Sequence, residues 1–165
     1  MRSLVIVWLA ASARLNMQQH ARRYRLRETG GGPFGYEAED NSLVIERATG
    51  PGPGAHHGSF RYRPDRQALQ AEIDAELLNS GGRRYLLGEW HTHPLGRAVP
   101  STGDAQSATR TANDDAVGLS SPVVLIQATL PWGKRVRAGH LGAFVWKAST
   151  SRLEAAEIRA FSRRR

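Results

Sequence analysis

The chain has 165 residues and a mass of 18.1 kDa, enough for one domain whose core needs no covalent staples. It has no cysteine, which excludes disulfides, thiolate zinc sites, iron–sulfur ligation and a cysteine nucleophile, so any metal must be held by His, Asp or Glu. Lys and Arg number 23 against 15 Asp and Glu; the net charge of +8 favours acidic partners or nucleic acid, although outside Arg22-Arg23, Arg83-Arg84 and Arg163-Arg164-Arg165 the arginines are scattered.

The β-branched and aromatic run Val5-Ile6-Val7-Trp8 predicts a buried first strand over Ser3–Ala10. Arg2, the apolar run and Ala11-Ser12-Ala13 also imitate a secretion signal. The stretch is short and carries one arginine, so Ser3–Ala13 is expected to stay in the mature protein. Nothing approaches the ~20 apolar residues of a membrane span.

Ala13–Leu26 is rich in helix formers, and Thr29-Gly30-Gly31-Gly32-Pro33 is expected to end that helix. Phe34–Ala38 and Ser42–Arg47 read as short strands around a turn at Asp40-Asn41. Gly50-Pro51-Gly52-Pro53-Gly54 reads as a loop. His56-His57 follows in this Gly/Pro-rich stretch without a nearby carboxylate and is expected on a mobile surface loop rather than on a metal.

Phe60–Arg63 alternates as a strand. Asp65–Leu78 predicts an amphipathic helix burying Leu69, Ile73 and Leu77, stopped by Ser80-Gly81-Gly82. Tyr85–Thr92 reads as a strand, Thr102–Asn113 as a helix, and Val123–Ala128 and Val136–Trp146 as strands. Ser149–Phe161 reads as a terminal helix, so that 148–165 forms a helix and basic tail. Strands and helices interleave without linker or repeat, which predicts a single α/β domain over 1–165.

The chemistry concentrates in Gly88-Glu89-Trp90-His91-Thr92-His93-Pro94 and Pro100-Ser101-Thr102-Gly103-Asp104. His91 and His93 lie two apart on a strand, so both imidazoles leave the same face, while Trp90 turns the other way into the core. Pro94 breaks the strand. The following loop is long enough to return Asp104, in the first turn of the next helix, to the two imidazoles. Two His and one carboxylate make a catalytic zinc shell that leaves a fourth position for water. Ser101 offers a hydroxyl beside the metal, and the general base must be a carboxylate from elsewhere in the chain. Ser101-x-x-Asp104 is also a capping box, and both readings can hold together. His20 and His140 have no motif around them.

This arrangement resembles the JAMM (MPN+) zinc metalloprotease family, whose signature is H-x-H-x₇-S-x₂-D with a distant upstream glutamate. His91, His93, Ser101 and Asp104 match at every spacing. Composition alone produces such a match in about five of ten thousand chains of this make-up, so coincidence is a weak rival. The family's glutamate ends its first helix ahead of a Gly-Gly turn, and Glu28-Thr29-Gly30-Gly31 fits that place. The Gly-Glu-Trp-His-Thr-His-Pro wording is similar to prokaryotic JAB-type deconjugases found in bacterial antiviral conjugation operons. Gly32-Pro33-Phe34-Gly35 departs from the family's apolar strand after Gly-Gly. Glu89, on the His face, adds a second carboxylate; it is read as orienting a ligand, with base or ligand as its alternatives.

The resemblance implies a cytidine-deaminase-like α/β fold, a curved and mostly antiparallel sheet flanked by helices. It implies one zinc per chain on His91, His93 and Asp104, Glu28 as general base and Ser101 as oxyanion donor. The implied activity is hydrolysis of the isopeptide or peptide bond after the C-terminus of a ubiquitin-like modifier, in the cytoplasm and with no membrane. A conjugating enzyme from the same operon is an implied partner. The alternatives are a protease trimming the tail of a sulfur-carrier protein, a catalytically silent scaffold, and a basic nucleic-acid-binding protein with a structural zinc.

Overall fold

The structure, a computed structural model, describes residues 4–162, without the side chain of Val136. Ser3 and the Arg163-Arg164-Arg165 end of the expected basic tail lie outside the described residues.

The N-terminal apolar run forms β1 (Ile6–Ala10), which turns directly into α1 (Ala11–Tyr24). Ala13, Met17 and Ala21 recur at helical spacing and form the buried stripe of α1. The helix stops at Tyr24, where Arg25 takes φ 54° and its N–H closes on the Ala21 carbonyl. The glycine run therefore does not end the helix. Gly30–Gly31 is β2, a short strand, and β3 (Pro33–Glu37) and β4 (Leu43–Ala48) follow around the expected turn.

His56–His57 is not a free loop either. It forms β5 and pairs with β6 (Tyr62–Arg63) in a small hairpin; the strand expected from Phe60 begins only at Tyr62, and Phe60 is 94% exposed. Asp65 caps α2 (Arg66–Ser80) by accepting from the Ala68 N–H at 3.0 Å. The remaining elements are β7 (Tyr85–Leu86), β8 (Gly88–His93), α3 (Thr102–Ala112), β9 (Val123–Trp132), β10 (Arg135–Lys147) and β11 (Arg152–Phe161).

Nine strands share one sheet in the order β2-β8-β9-β10-β11-β1-β4-β3-β7. β1 lies parallel to β4 and β11, and β8 parallel to β9; the other five pairings are antiparallel. The two ends of this order are joined by the chain itself, because only Leu87 separates β7 from β8 and only Gly32 separates β2 from β3. Leu87 donates its N–H to the Pro33 carbonyl at 2.9 Å and accepts from the Val123 N–H at 2.9 Å. The sheet thus curls until its ends meet. Gly88 sits at this seam with φ 151°, and a Cβ there would lie 2.0 Å from the Val123 carbonyl oxygen, so the strand passes only as glycine.

On the inner face α1 packs Ala13 and Met17 against Val7, Leu9, Ile45, Trp90, Val123 and Leu125. On the other face α3 and the loop before it cover Val124, Ile126, Ala128 and Trp146 with Ala98 and Ala108. β9 is buried from both sides over its first seven residues, which explains its continuous apolar run.

Two expected helical features change. Ser149–Phe161 is not a terminal helix: after a turn, Arg152–Phe161 becomes β11, antiparallel to β10 and parallel to β1. Its Ala, Glu and Arg favour a helix locally, but β10 and β1 would otherwise face each other with unpaired edges, and the ladder on both sides outweighs that preference. α2 does not bury Leu77, which is 39% exposed. The buried residue of that turn is Glu76, 4% exposed, paired with Arg47 at 3.0 Å and with the Arg84 guanidinium. An ion-paired carboxylate, shared between two arginines from β4 and the β7 approach, anchors this end of the helix.

Candidate functional site

β8 is an interior strand, paired with β2 on one side and β9 on the other. Its alternation sends Trp90 into the α1 core, fully buried, with the indole N–H donated to the Thr49 carbonyl at 2.9 Å. His91 and His93 leave the opposite face. Beyond His93 the chain folds back: the Gly96 N–H bonds the His93 carbonyl at 3.1 Å, and the Leu95 N–H bonds Thr129 Oγ1 at 3.2 Å. This loop delivers Ser101 as the N-cap of α3 and Asp104 as its third residue.

The three ligand candidates converge. His91 Nε2 lies 3.1 Å from Asp104 Oδ1, His93 Nε2 lies 3.4 Å from Asp104 Oδ2, and the two Nε2 atoms are 3.2 Å apart. Ligands about 2.0–2.1 Å from a tetrahedral zinc lie about 3.3 Å from one another, so these spacings fit one shared ion. Of the remaining ring nitrogens, that of His93 is hydrogen-bonded. His93 Nδ1 is 2.9 Å from the Arg97 carbonyl, which can only accept; Nδ1 therefore carries a hydrogen, so that loss of the Nε2 proton that faces Asp104 would leave the Nε2 lone pair for a metal. His91 Nδ1 faces Glu89 Oε1 at 3.7 Å.

Burial tends to raise the pKa of Asp104, but hydrogen bonds from His91 and His93 outweigh it and hold the carboxyl far below the usual carboxylate range. The bond to Asp104 in turn raises the pKa of His93. Asp104 is positioned by a complete capping box: the Ser101 N–H and hydroxyl both donate to Asp104 Oδ2, at 2.6 and 2.7 Å, and the Asp104 N–H donates to Ser101 Oγ at 3.2 Å. The carboxylate that closes the capping box is thus also the one that meets both imidazoles, with Oδ1 toward His91 and Oδ2 shared by His93 and Ser101.

Glu28 comes from the connection between α1 and β2. The β2–β8 register sets Gly30 opposite His91 and Gly31 opposite Trp90. Thr29 and Thr92 then bond twice, Thr29 N–H to Thr92 Oγ1 at 3.0 Å and Thr92 N–H to the Thr29 carbonyl at 2.8 Å. This brings Glu28 to the His93 end of β8. Its carboxyl is half-buried, and that burial raises its pKa against the lowering influence of the His91 and His93 charges. Glu89 keeps 43% of its side chain exposed, yet the protein crowded around it disfavours its charge and raises its pKa.

The structure therefore gathers His91, His93, Asp104 and Ser101 at one point, with Glu28 and Glu89 on its border. His57 is the residue that local reasoning passes over. Its ring stacks on Tyr24 at 3.7 Å and 15°, its Nδ1 lies 3.0 Å from the Glu28 carbonyl, and its neighbour Gly58 accepts from the Glu28 N–H at 2.8 Å. No local signal marks this, because its partners Tyr24 and Glu28 precede the Gly/Pro-rich loop. His20 stands apart, tilted on Trp90 at 6.3 Å with its pKa lowered by burial, and His140 is exposed. No helix among the described residues is long and apolar enough to cross a membrane.

A family model described as prokaryotic homologs of the JAB domain matches residues 10–141, a span that includes Glu28, His91, His93, Ser101 and Asp104. The chain is 35% identical over 89 residues to a probable metalloprotease, y4qB, of Sinorhizobium fredii, covering 54% of this chain and 54% of that protein. It is 29% identical over 133 residues to a CD-NTase/cGAS isopeptidase of Enterobacter hormaechei, covering 79% of this chain and 72% of the relative. A Vibrio cholerae protein of the same description is 35% identical over 81 residues, 48% of this chain and 51% of its own length. The chain thus spans about half the length of y4qB and of the Vibrio protein. The solution structure of protein DSY2949 from Desulfitobacterium hafniense has the same fold, with a TM-score of 0.67 over 95% of this chain and 94% of that one at 22% identity.

Proposed function

The chain belongs to the prokaryotic JAB-domain family, and on that premise we propose that it is a zinc-dependent peptidase cleaving the amide that joins the C-terminus of a ubiquitin-like modifier to a target amine. The observation that carries this reading is the convergence of His91 Nε2, His93 Nε2 and the Asp104 carboxylate at tetrahedral spacing, with the Glu28 carboxyl on its border. In this reading residues 1–165 act as one domain, with one zinc per chain.

His91, His93 and Asp104 would hold the metal. When bound, zinc supplies an acidified water and polarises the scissile carbonyl. Glu28 takes the water's proton and passes it to the leaving amine. Its half-burial suits this work, because burial raises the pKa of the carboxyl and so makes the carboxylate a better proton acceptor. Ser101 Oγ steadies the oxyanion by turning its hydrogen away from Asp104 Oδ2; its oxygen can still accept from the Asp104 N–H, so α3 keeps its cap. Glu89 faces His91 Nδ1 and orients that imidazole.

The substrate class rests on the family and on the two relatives described as CD-NTase/cGAS isopeptidases, a description that points to a protein conjugate; a bacterial antiviral, cytoplasmic setting and a conjugating enzyme encoded nearby are part of the same proposal. Adjacent genes for a ubiquitin-activating-like or nucleotidyltransferase-like enzyme are the expected neighbourhood. The modifier's body must contribute binding energy, since the chemistry itself does not distinguish a lysine side chain from an α-amine. The test offers the zinc-loaded protein full-length modifier–target conjugates from its own gene neighbourhood, tail-only peptides and unfolded casein. Cleavage after the modifier's last residue, with tail-only peptides poor, is expected. Cleavage of casein at many sites without preference for the conjugate reduces the protein to a general zinc peptidase.

A further inference from the structure

We propose that His57 is a positioning residue for Glu28, so that the β5–β6 hairpin, far from the metal ligands in sequence, sets the place of the general base. The inference rests on the reading of Glu28 as that base. Residues 25–29 have no regular structure of their own: α1 ends at Tyr24, Arg25 reverses the chain with φ 54°, and β2 begins only at Gly30. Both polar groups of the Glu28 backbone are nonetheless paired, and both go to one strand end of the hairpin. The Glu28 N–H donates to the Gly58 carbonyl at 2.8 Å, and the Glu28 carbonyl lies 3.0 Å from His57 Nδ1. A carbonyl can only accept, so Nδ1 carries the hydrogen.

The hairpin is itself too small to stand alone, with two residues in each strand. Its fixed points are aromatic. His57 stacks face to face on Tyr24, the last residue of α1, and lies 5.8 Å from the Tyr62 ring across the hairpin. Tyr62 in turn lies over β2, where a Cβ on Gly30 would meet its ring at 2.8 Å. The end of α1, the base and the start of β2 are thus tied to one hairpin, and His57 makes two of the ties. Thr29 is held from the other side by Thr92 of β8. Glu28 lies between these two sets of bonds, one from the hairpin and one from the strand that carries the metal ligands. A base displaced by about 1 Å can lose two orders of magnitude in rate, so a backbone clamp of this kind acts on turnover rather than on substrate binding.

Two substitutions separate the ring from its hydrogen bond. His57→Phe keeps the stack on Tyr24 and removes the donor. His57→Asn gives up the full stack and restores an N–H donor near the Nδ1 position. With ubiquitin bearing a C-terminal fluorogenic amide as the probe, His57→Phe is expected to lower kcat roughly 10- to 100-fold with KM within about twofold and zinc content unchanged, while His57→Asn recovers most of that loss. Hydrogen exchange gives a readout independent of turnover: the Glu28 amide should exchange faster in His57→Phe, with the Trp90 and Leu125 amides unaltered. Unchanged kcat in His57→Phe, beside a Glu28→Ala variant that is inactive, overturns the clamp and leaves the base intact. Equal losses in both His57 variants, accompanied by loss of zinc, make His57 merely structural and also overturn it. Wild-type turnover that survives Glu28→Ala removes the base, and the clamp with it.

Discussion

The two halves of the site are built in different ways. The His91–His93–Asp104 cluster comes from a single strand–loop–helix segment, residues 91–104, and each proposed ligand is fixed by structure within or beside that segment: β8 is paired on both sides, and Asp104 is locked by the capping box with Ser101. Glu28 lies on an irregular connection and takes its place from remote partners, His57 and Gly58 on one side and the Thr29–Thr92 bonds on the other. Local construction gives a cluster that tolerates changes elsewhere in the protein. Remote construction leaves Glu28, the proposed base, sensitive to any change that moves the hairpin or β2.

Removal of a ligand is the largest break in this comparison. His91→Ala, His93→Ala or Asp104→Ala is expected to empty the metal site, abolish turnover and lower thermal stability, since metal binding contributes folding free energy. Elemental analysis and thermal unfolding check this, and full zinc in all three variants contradicts the cluster.

Changes at the base and the oxyanion donor should leave the metal in place. Glu28→Ala is expected to reduce turnover by at least ~10²-fold with zinc retained. Ser101→Ala is expected to cost roughly 10²-fold through the oxyanion, and about 1 kcal/mol of stability because α3 loses its side-chain cap. Steady-state kinetics beside metal analysis distinguish these losses from loss of the metal. If Glu28→Ala stays active and Glu89→Ala does not, the two carboxylates exchange roles.

Gly30→Ala acts on the remote half through the β2–β8 pairing that both halves share. Its Cβ would lie 2.2 Å from the Trp90 carbonyl oxygen and 2.8 Å from the Tyr62 ring, so β2 must shift away from β8 and carry Glu28 with it. Such overpacking costs about 1–3 kcal/mol, and turnover should fall further than that loss of stability explains, with zinc retained. Denaturant unfolding and kcat on the same sample decide it; zinc loss in this variant would erase the distinction between the halves. Glu89→Gln should be the mildest change, weakening metal affinity about tenfold by loosening His91, as measured by competition with a chelator.

The metal half was legible in the sequence because its information is local. Two residues on a strand share a face whatever the rest of the fold does, and a Ser-x-x-Asp box at a helix start defines where Asp104 points. The resemblance added Glu28, yet the reason offered for its place, a glycine turn after a helix end, differs from the structure. The helix stops five residues before Thr29-Gly30, and the glycines are a strand pressed against Trp90 and Tyr62. His57 was set aside as surface because a Gly/Pro-rich stretch looks mobile until its partners are known.

The longer strands and helices up to Trp146, the burial of β1 and the direction of Trp90 followed from periodicity and residue type, since each depends on neighbours within a few positions; the short strands Gly30–Gly31 and His56–His57 and the break between β7 and β8 did not. Two features of the fold depended on contacts between distant segments. Arg152–Phe161 is a strand because β10 and β1 leave a gap whose hydrogen bonds only an extended chain can fill, and Ala-Glu-Arg propensity yields to that ladder. Glu76 rather than Leu77 is buried on α2 because Arg47 and Arg84, brought from two other elements, compensate its charge. Composition and spacing determined that two imidazoles and a carboxylate suited to a metal come from one segment; where Glu28, the proposed base, stands was decided by the curl of the sheet and the docking of the β5–β6 hairpin, because backbone hydrogen bonds between segments cannot be read from either segment alone.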